Sequence, residues 1–113
     1  MYAGSVSLPG IIAIVDCNGV QLSTATGGEL AADRLAQNWK AFGWNTMVVD
    51  GHDMAALTEV LEKAREASAT GPVAVMAKTI KGKGVSFMEG KYEWHGKAPG
   101  DDEYQRAIKE IGA

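Results

Sequence analysis

Four short segments carry side chains whose types and spacing could do chemistry. In Asp16-Cys17-Asn18-Gly19, the Asn18 side chain offers a carbonyl oxygen and a backbone carbonyl two residues on would add a second, the hard donors that Mg²⁺ selects. The same Asn-Gly pair is equally read as a turn in which Asn tolerates a positive φ, the commoner use of such a pair. In Thr79-Ile80-Lys81-Gly82-Lys83-Gly84, two glycines would let the backbone approach a phosphate, with cationic side chains beside it. That run departs from a P-loop, which needs Gly-Lys-Ser/Thr opening a helix, and a solvated basic loop is the alternative. His95, in Trp94-His95-Gly96, is of the one type that exchanges protons near neutral pH without a large shift, so it is the candidate acid or base. His52, between Gly51 and Asp53, sits where a cap or turn role is expected. Asp50 and Asp53 could pair as acid and base, although Asp53 is also placed to cap a helix. Cys17 has no base nearby in sequence and reads as a bystander thiol.

These segments need elements to hold them. Ile11 to Val15 is continuously apolar and β-branched, the pattern of a strand covered on both faces in a parallel sheet. Thr46 to Val49 and Val73 to Ala77 read alike, the latter opened by the breaker Gly71-Pro72. Leu35, Trp39 and Phe42 share a helical stripe, which predicts a crossover helix over about Glu29 to Phe42, ended by Gly43. Leu57, Val60, Leu61 and Ala64 predict a second helix behind Asp53, with Glu59 and Lys63 spaced for a surface pair. Tyr104, Ala107, Ile108 and Ile111 predict a terminal helix from about Asp102, with Asp102 and Gln105 resembling a capping box. Trp39 and Trp44 read as core or loop anchors. The stretch from Thr79 to Pro99, rich in glycine, lysine and aromatics, fits neither strand nor helix, and loops of that length are usually functional or disordered. Alternating strands and helices argue for an α/β fold: a three-layer type of partial parallel sheet, about three strands, with crossover helices and a C-terminal helix.

Composition narrows the partners. At 113 residues the chain is one domain, residues 1-113. Fourteen Asp plus Glu against eleven Lys plus Arg give a net charge of -3, so no basic field exists to hold a nucleic-acid backbone, and nucleic acid is not an expected partner. The apolar run from Ile11 to Val15 is far below the roughly 20 residues that span a bilayer, and no targeting pattern opens the chain, which predicts no membrane association and a cytoplasmic location. A single Cys17 excludes an internal disulfide.

Taken together, the segments resemble transketolase, in the later part of its thiamine-diphosphate-binding N-terminal domain, over about Leu8 to Ala113. The resemblance rests on Leu-Pro-Gly-Ile-Ile-Ala-Ile-Val-Asp-Cys-Asn-Gly-Val-Gln (8 to 21), Ala-Phe-Gly-Trp (41 to 44), Val-Asp-Gly-His-Asp (49 to 53), Thr-Ile-Lys-Gly-Lys-Gly-Val-Ser-Phe-Met (79 to 88) and Trp-His-Gly-Lys-Ala-Pro (94 to 99), in that order and spacing. It implies thiamine diphosphate and Mg²⁺ as cofactors. Asn18 resembles the family's side-chain Mg²⁺ ligand, and Val20 the residue whose main-chain carbonyl joins it. Leu22 resembles an apolar contact to the thiazolium, Lys81 a position beside the cofactor, and His95 a histidine that contacts the diphosphate and the donor substrate. The sequence departs from the family in lacking the Gly-Asp-Gly signature whose carboxylate is the main charged Mg²⁺ ligand. The pyrimidine-binding domain and the first half of the diphosphate domain are not matched either, which implies a truncated domain.

Two functional classes follow from the resemblance. One is a transketolase-like transferase that moves a two-carbon ketol unit between sugar phosphates, as a homo-oligomer or with a complementary transketolase subunit that completes the site. The other is a truncated domain without that activity, acting as an interaction or small-molecule-binding protein. A small enzyme with thiamine-independent chemistry using His95, Asp50 and the Lys81 loop is a further alternative. Under the first two readings an uncovered sheet edge or face predicts self-association.

Overall fold

The computed structural model describes residues 1–21, 24–25 and 31–112. Its centre is a three-stranded parallel sheet of β1 (Ile12–Cys17), β4 (Asn45–Asp50) and β5 (Val73–Lys78), with β5 in the middle. The pairing is in step along all three strands: Ile12 and Asn45 both lie opposite Val73, and Cys17 and Asp50 both lie opposite Lys78. A two-stranded antiparallel ribbon, β2 (Val20–Gln21) and β3 (Thr24–Ala25), follows β1.

The chain leaves β1 through α2 (Ala32–Ala41), passes over the middle position to reach β4, and returns through α3 (Met54–Ala67) to fill it with β5. The two crossovers run in opposite directions, so right-handed connections put their helices on opposite faces of the sheet. Side-chain alternation along the strands matches this. Ala74 and Met76 pack with Ala32, Ala36, Leu35, Trp39 and Val15 on the α2 face. Val73, Val75 and Ala77 pack with Val49, Ala64, Leu57 and Val60 on the α3 face. Val73 to Met76 are fully enclosed, and each large side chain so buried is worth about 1.5–3 kcal/mol. Trp39 meets Trp44 edge to face at 4.7 Å, so both tryptophans serve the core as expected.

The structure corrects the reading of β1. Among the described strands β5 is the one buried along its whole apolar run; β1 is an edge strand that alternates, with Ala13 and Val15 half-buried, Val15 against the α2 cluster, while Ile12 and Ile14 are 37% and 61% exposed. α3 lies over β4 and β5 and does not reach Ile12 or Ile14. Leu61, expected on the buried stripe of α3, is likewise 39% exposed at its margin.

Local chemistry sets the helix limits. Asp53 caps α3 by accepting the Ala56 N–H at 3.0 Å, and Glu59 pairs with Lys63 at 2.6 Å. The start of the predicted first helix, Glu29 and Leu30, lies outside the described residues, and the helix is described from Ala32. Gly43 turns the chain out of α2 at φ +82°, and a Cβ there would meet the Gly4 carbonyl oxygen at 2.7 Å. That contact seats a short helix absent from the sequence reading, α1 (Tyr2–Ser5), against the end of α2. At the other terminus α4 (Asp101–Ile111) is capped from Gly100, not Asp102: Glu103 reaches back to accept the Gly100 N–H at 2.9 Å, and Gly112 closes the helix at φ +77°. Capping two residues earlier leaves three acidic side chains, Asp101, Asp102 and Glu103, in the first turn, where the helix dipole favours them.

Residues 79–100 are a folded connection. Successive turns close it, with Val85 N–H donating to Gly82 O, Met88 N–H to Val85 O and Gly90 N–H to Lys81 O, and a 3-10 turn follows at Tyr92–Trp94. α4 buries no side chain and is tied to this connection, Arg106 lying 4.8 Å from the Phe87 ring and Glu110 accepting from the backbone N–H and hydroxyl of Ser86. The molecule is accordingly elongated, with a radius of gyration of 16.7 Å, where a compact chain of this length has about 13 Å.

The Ser86 N–H, and then its hydroxyl, hold the Glu110 carboxyl below the usual carboxylate range. A carboxyl whose folded pKa is depressed stabilises the fold fully above its unfolded pKa, and that contribution is lost as pH falls through the folded value. Acidification from about pH 6 to about pH 3 is therefore expected to loosen α4 from the loop before the sheet opens. The Ser86 amide resonance followed by NMR checks this: a shift that tracks Glu110 and vanishes in Glu110→Gln agrees, and an amide indifferent to both refutes the tie.

Candidate functional site

In open parallel sheets, ligands bind at the carboxyl ends of the strands, and here the three segments leaving β1, β4 and β5 are stitched together at that edge. Thr79 N–H donates to Cys17 O at 3.3 Å and Gly51 N–H to Lys78 O at 2.7 Å, joining the β5 exit to both neighbours. Side chains complete the seam. Asp16 accepts from the Asn18 amide at 2.8 Å through one oxygen and from the Thr79 hydroxyl through the other. Because Asn18 Nδ2 faces that carboxylate, Oδ1 is turned the other way, where it accepts the Val20 N–H at 3.1 Å and keeps a second lone pair.

A cavity of about 250 Å³ opens beside this arrangement, lined by Asp16, Cys17, Asn18, Val20, Gln21 and Leu35. Asn18 and Val20, the two candidate oxygen donors, both line this cavity. The chemistry of the donor set suits a hard cation, since both are oxygens, and both are neutral. The adjacent carboxylate of Asp16 is engaged by Asn18 and Thr79, and among the described residues no three His, Cys, Asp or Glu side chains gather. A cation held here would have most of its charge met by the ligand that accompanies it, as Mg²⁺ commonly does with phosphates. Cys17 lies on the same wall with its thiol pushed up, first by burial and then by the Asp16 charge, which favours the protonated form.

The remaining candidates are placed unequally. Lys81 is half-buried in the turn after β5, at the same edge of the sheet. His95 is exposed at the end of the 3-10 turn; its N–H donates to Tyr92 O at 2.9 Å, and its neighbour Trp94 is anchored by Nε1 to Phe87 O at 3.1 Å. Among the described residues no hydrogen bond joins the His95 ring to Asn18, Val20 or Lys81. Leu22 lies outside the described residues. Asp50 and Asp53 each accept a backbone N–H: Asp50 from His52 at 2.9 Å, and Asp53 from Ala56 as the cap of α3. Sequence reasoning included Asp16, Thr79 and His52 in its candidate segments but missed what they do: Thr79 donates to Asp16 across the sheet, and the His52 ring accepts the Ile80 N–H at 2.8 Å through Nε2. The only sequence signal for them was position, each falling within two residues of a strand end.

A parallel α/β sheet with a cavity and a glycine-lysine turn at its carboxyl edge is of the open-sheet class, in which ligands bind at that edge. Over residues 1–113 the chain matches the family described as "Transketolase, thiamine diphosphate binding domain", and it belongs to that family. It is 39% identical over 110 residues to transketolase-like protein 1 of Bos taurus, covering 97% of this chain and 18% of that protein. It is 37% identical over 111 residues to one of the subunits of the apulose-4-phosphate transketolase of Actinobacillus succinogenes, covering 98% of this chain and 40% of that protein. Among solved structures, transketolase from Campylobacter jejuni superposes with a TM-score of 0.82 at 29% identity, over 98% of this chain and 17% of that one. The chain thus spans less than half the length of these relatives. Among the described residues no helix is long and apolar enough to cross a membrane.

Proposed function

We propose that this chain, as one thiamine-diphosphate-binding domain over residues 1–113, takes part in the thiamine-diphosphate- and Mg²⁺-dependent transfer of a two-carbon ketol unit between sugar phosphates. A second copy or a complementary transketolase subunit completes its site, and the setting is the cytoplasm. One observation carries the reading: in a chain of this family, the two oxygen donors Asn18 and Val20 border a cavity at the carboxyl edge of the sheet. Relatives that are themselves named as transketolase subunits support completion by another chain, as does the open flank of β1.

In this reading Asn18 Oδ1 and the Val20 carbonyl hold Mg²⁺, Leu22 contacts the thiazolium, Lys81 stands beside the diphosphate, and His95 contacts the diphosphate and the donor. Thiamine diphosphate, when bound, supplies the carbanion stabilisation that ketol transfer needs, and the protein supplies binding and orientation. Lys81 offsets phosphate charge, and His95, exposed and proton-capable, moves a proton at the donor hydroxyl.

Isothermal titration of the purified chain with thiamine diphosphate and Mg²⁺, with its mass in solution recorded, tests the proposal. Saturable, Mg²⁺-dependent binding supports it. The absence of binding at millimolar cofactor, alone and with a complementary subunit, overturns it in favour of an interaction protein or thiamine-independent chemistry. His95→Ala is expected to lower ketol transfer by about a hundredfold or more while leaving the melting temperature unchanged, because the exposed side chain contributes little packing. Unchanged turnover in that variant refutes the role given to His95.

A further inference from the structure

We infer that His52 is a positioning residue for the Lys81 turn and that it holds the turn only while its imidazole is neutral. His52 leaves β4 in the turn before α3, and its ring crosses to the segment after β5, where Nε2 accepts the backbone N–H of Ile80 at 2.8 Å. An imidazole nitrogen accepts only with its lone pair free, so the ring proton resides on Nδ1. The backbone beneath the ring is built for close approach. A Cβ on Gly51 would meet Thr79 Cγ2 at 2.4 Å and Lys78 O at 3.1 Å, so the β4 exit lies flush against the β5 exit. Ile80 immediately precedes Lys81, and its carbonyl accepts the Lys83 N–H, so the clamped amide belongs to the first link of the glycine-lysine turn.

Protonation converts Nε2 from acceptor to donor and sets two N–H groups against each other. Histidine is the side-chain type whose charge changes between about pH 5 and about pH 8, where carboxylates and ammonium groups in general keep theirs. The charged groups on the segment that carries the ring are Asp50, which accepts the His52 N–H, and Asp53, which caps α3. On the segment it bonds to they are Lys78, paired to Asp33 at 2.9 Å, Lys81 and Lys83. The clamp stands on this geometry alone, whereas its effect on cofactor affinity rests on the proposal that Lys81 borders the diphosphate.

The experiment compares the intact chain with His52→Gln, whose Oε1 can take the place of Nε2 as acceptor at any pH, and His52→Leu, which cannot accept. Hydrogen exchange at the Ile80 amide, corrected for intrinsic rate, and titration with thiamine diphosphate plus Mg²⁺ are read at about pH 8 and about pH 5.5. The unsubstituted chain is expected to lose about tenfold in Ile80 protection at the lower pH, the Gln variant to stay protected at both, and the Leu variant to be unprotected at both. Cofactor affinity is expected to follow the same order. Equal Ile80 protection in the intact chain and the Leu variant, or protection independent of pH in the intact chain, overturns the inference. Protection that follows the expected order while measurable cofactor affinity stays constant across all three proteins upholds the clamp and overturns the placement of Lys81 beside the diphosphate.

Discussion

Met76→Ala is expected to cost about 2–5 kcal/mol of folding free energy, the range for truncating a large enclosed side chain. Met76 is the largest fully buried side chain, on the central strand β5 facing α2. The helix residues opposite it, Ala32 and Ala36, are already small, so they let α2 approach the sheet closely and have no atoms with which to refill the space that truncation leaves. A domain of this size holds about 5–15 kcal/mol in total, and the loss should lower the melting temperature by about 10 °C or more. Val48 provides the internal comparison. It is the register partner of Met76 on β4 and shares its face of the sheet, yet it is 38% exposed, so Val48→Ala should cost under about 1 kcal/mol. Thermal and urea unfolding of the two variants checks the ranking, and equal losses would mean that α2 does not cover β5 as described.

Asn18→Ala is expected to weaken Mg²⁺-dependent binding of thiamine diphosphate by at least about tenfold, the lower end of what disturbing a metal site costs. The side chain does two things at once. Its amide donates to Asp16 while its oxygen receives the Val20 N–H, so it fixes both the carboxylate at the β1 exit and the carbonyl two residues on. Removing it deletes one proposed donor and frees the other to drift. Chelating Mg²⁺ should erase the difference between variant and parent, because the cation is what the lost oxygen would hold. Equal affinities with Mg²⁺ present would count against the metal role and leave Asn18 as a turn residue. The two substitutions separate cleanly: the first is read in unfolding and the second in binding.

The candidate site was legible where the chemistry is carried by consecutive residues. Asn18-Gly19-Val20 and the Lys81 turn stand out because donor type and spacing lie within one short segment. Asp16, Thr79 and His52 were not legible, because each acts across the sheet. Thr79 reaches Asp16 over 63 positions of sequence and the Ile80 amide reaches His52 over 28, and such pairs exist only once β1, β4 and β5 are in register. His95 was picked out by type, and its exposed place at the end of the 3-10 turn was not in the sequence.

The amino-acid sequence alone determined which segments become the three strands of the parallel sheet, the two crossover helices and the terminal helix, that they alternate, and that the Asp53 side chain would cap α3, but not the short α1 or the β2–β3 ribbon. Apolar periodicity and capping chemistry are local, and they act before distant parts of the chain meet. Strand order and exposure were decided by the tertiary structure. Ile12 and Ile14 are as apolar and β-branched as Val73 and Val75, yet the former lie on an open flank while the latter are enclosed. The reason is that a run of side chains fixes how much surface there is to bury, whereas the return of the chain through α3 into the middle of the sheet decides which of those runs is given two neighbours and two covering helices.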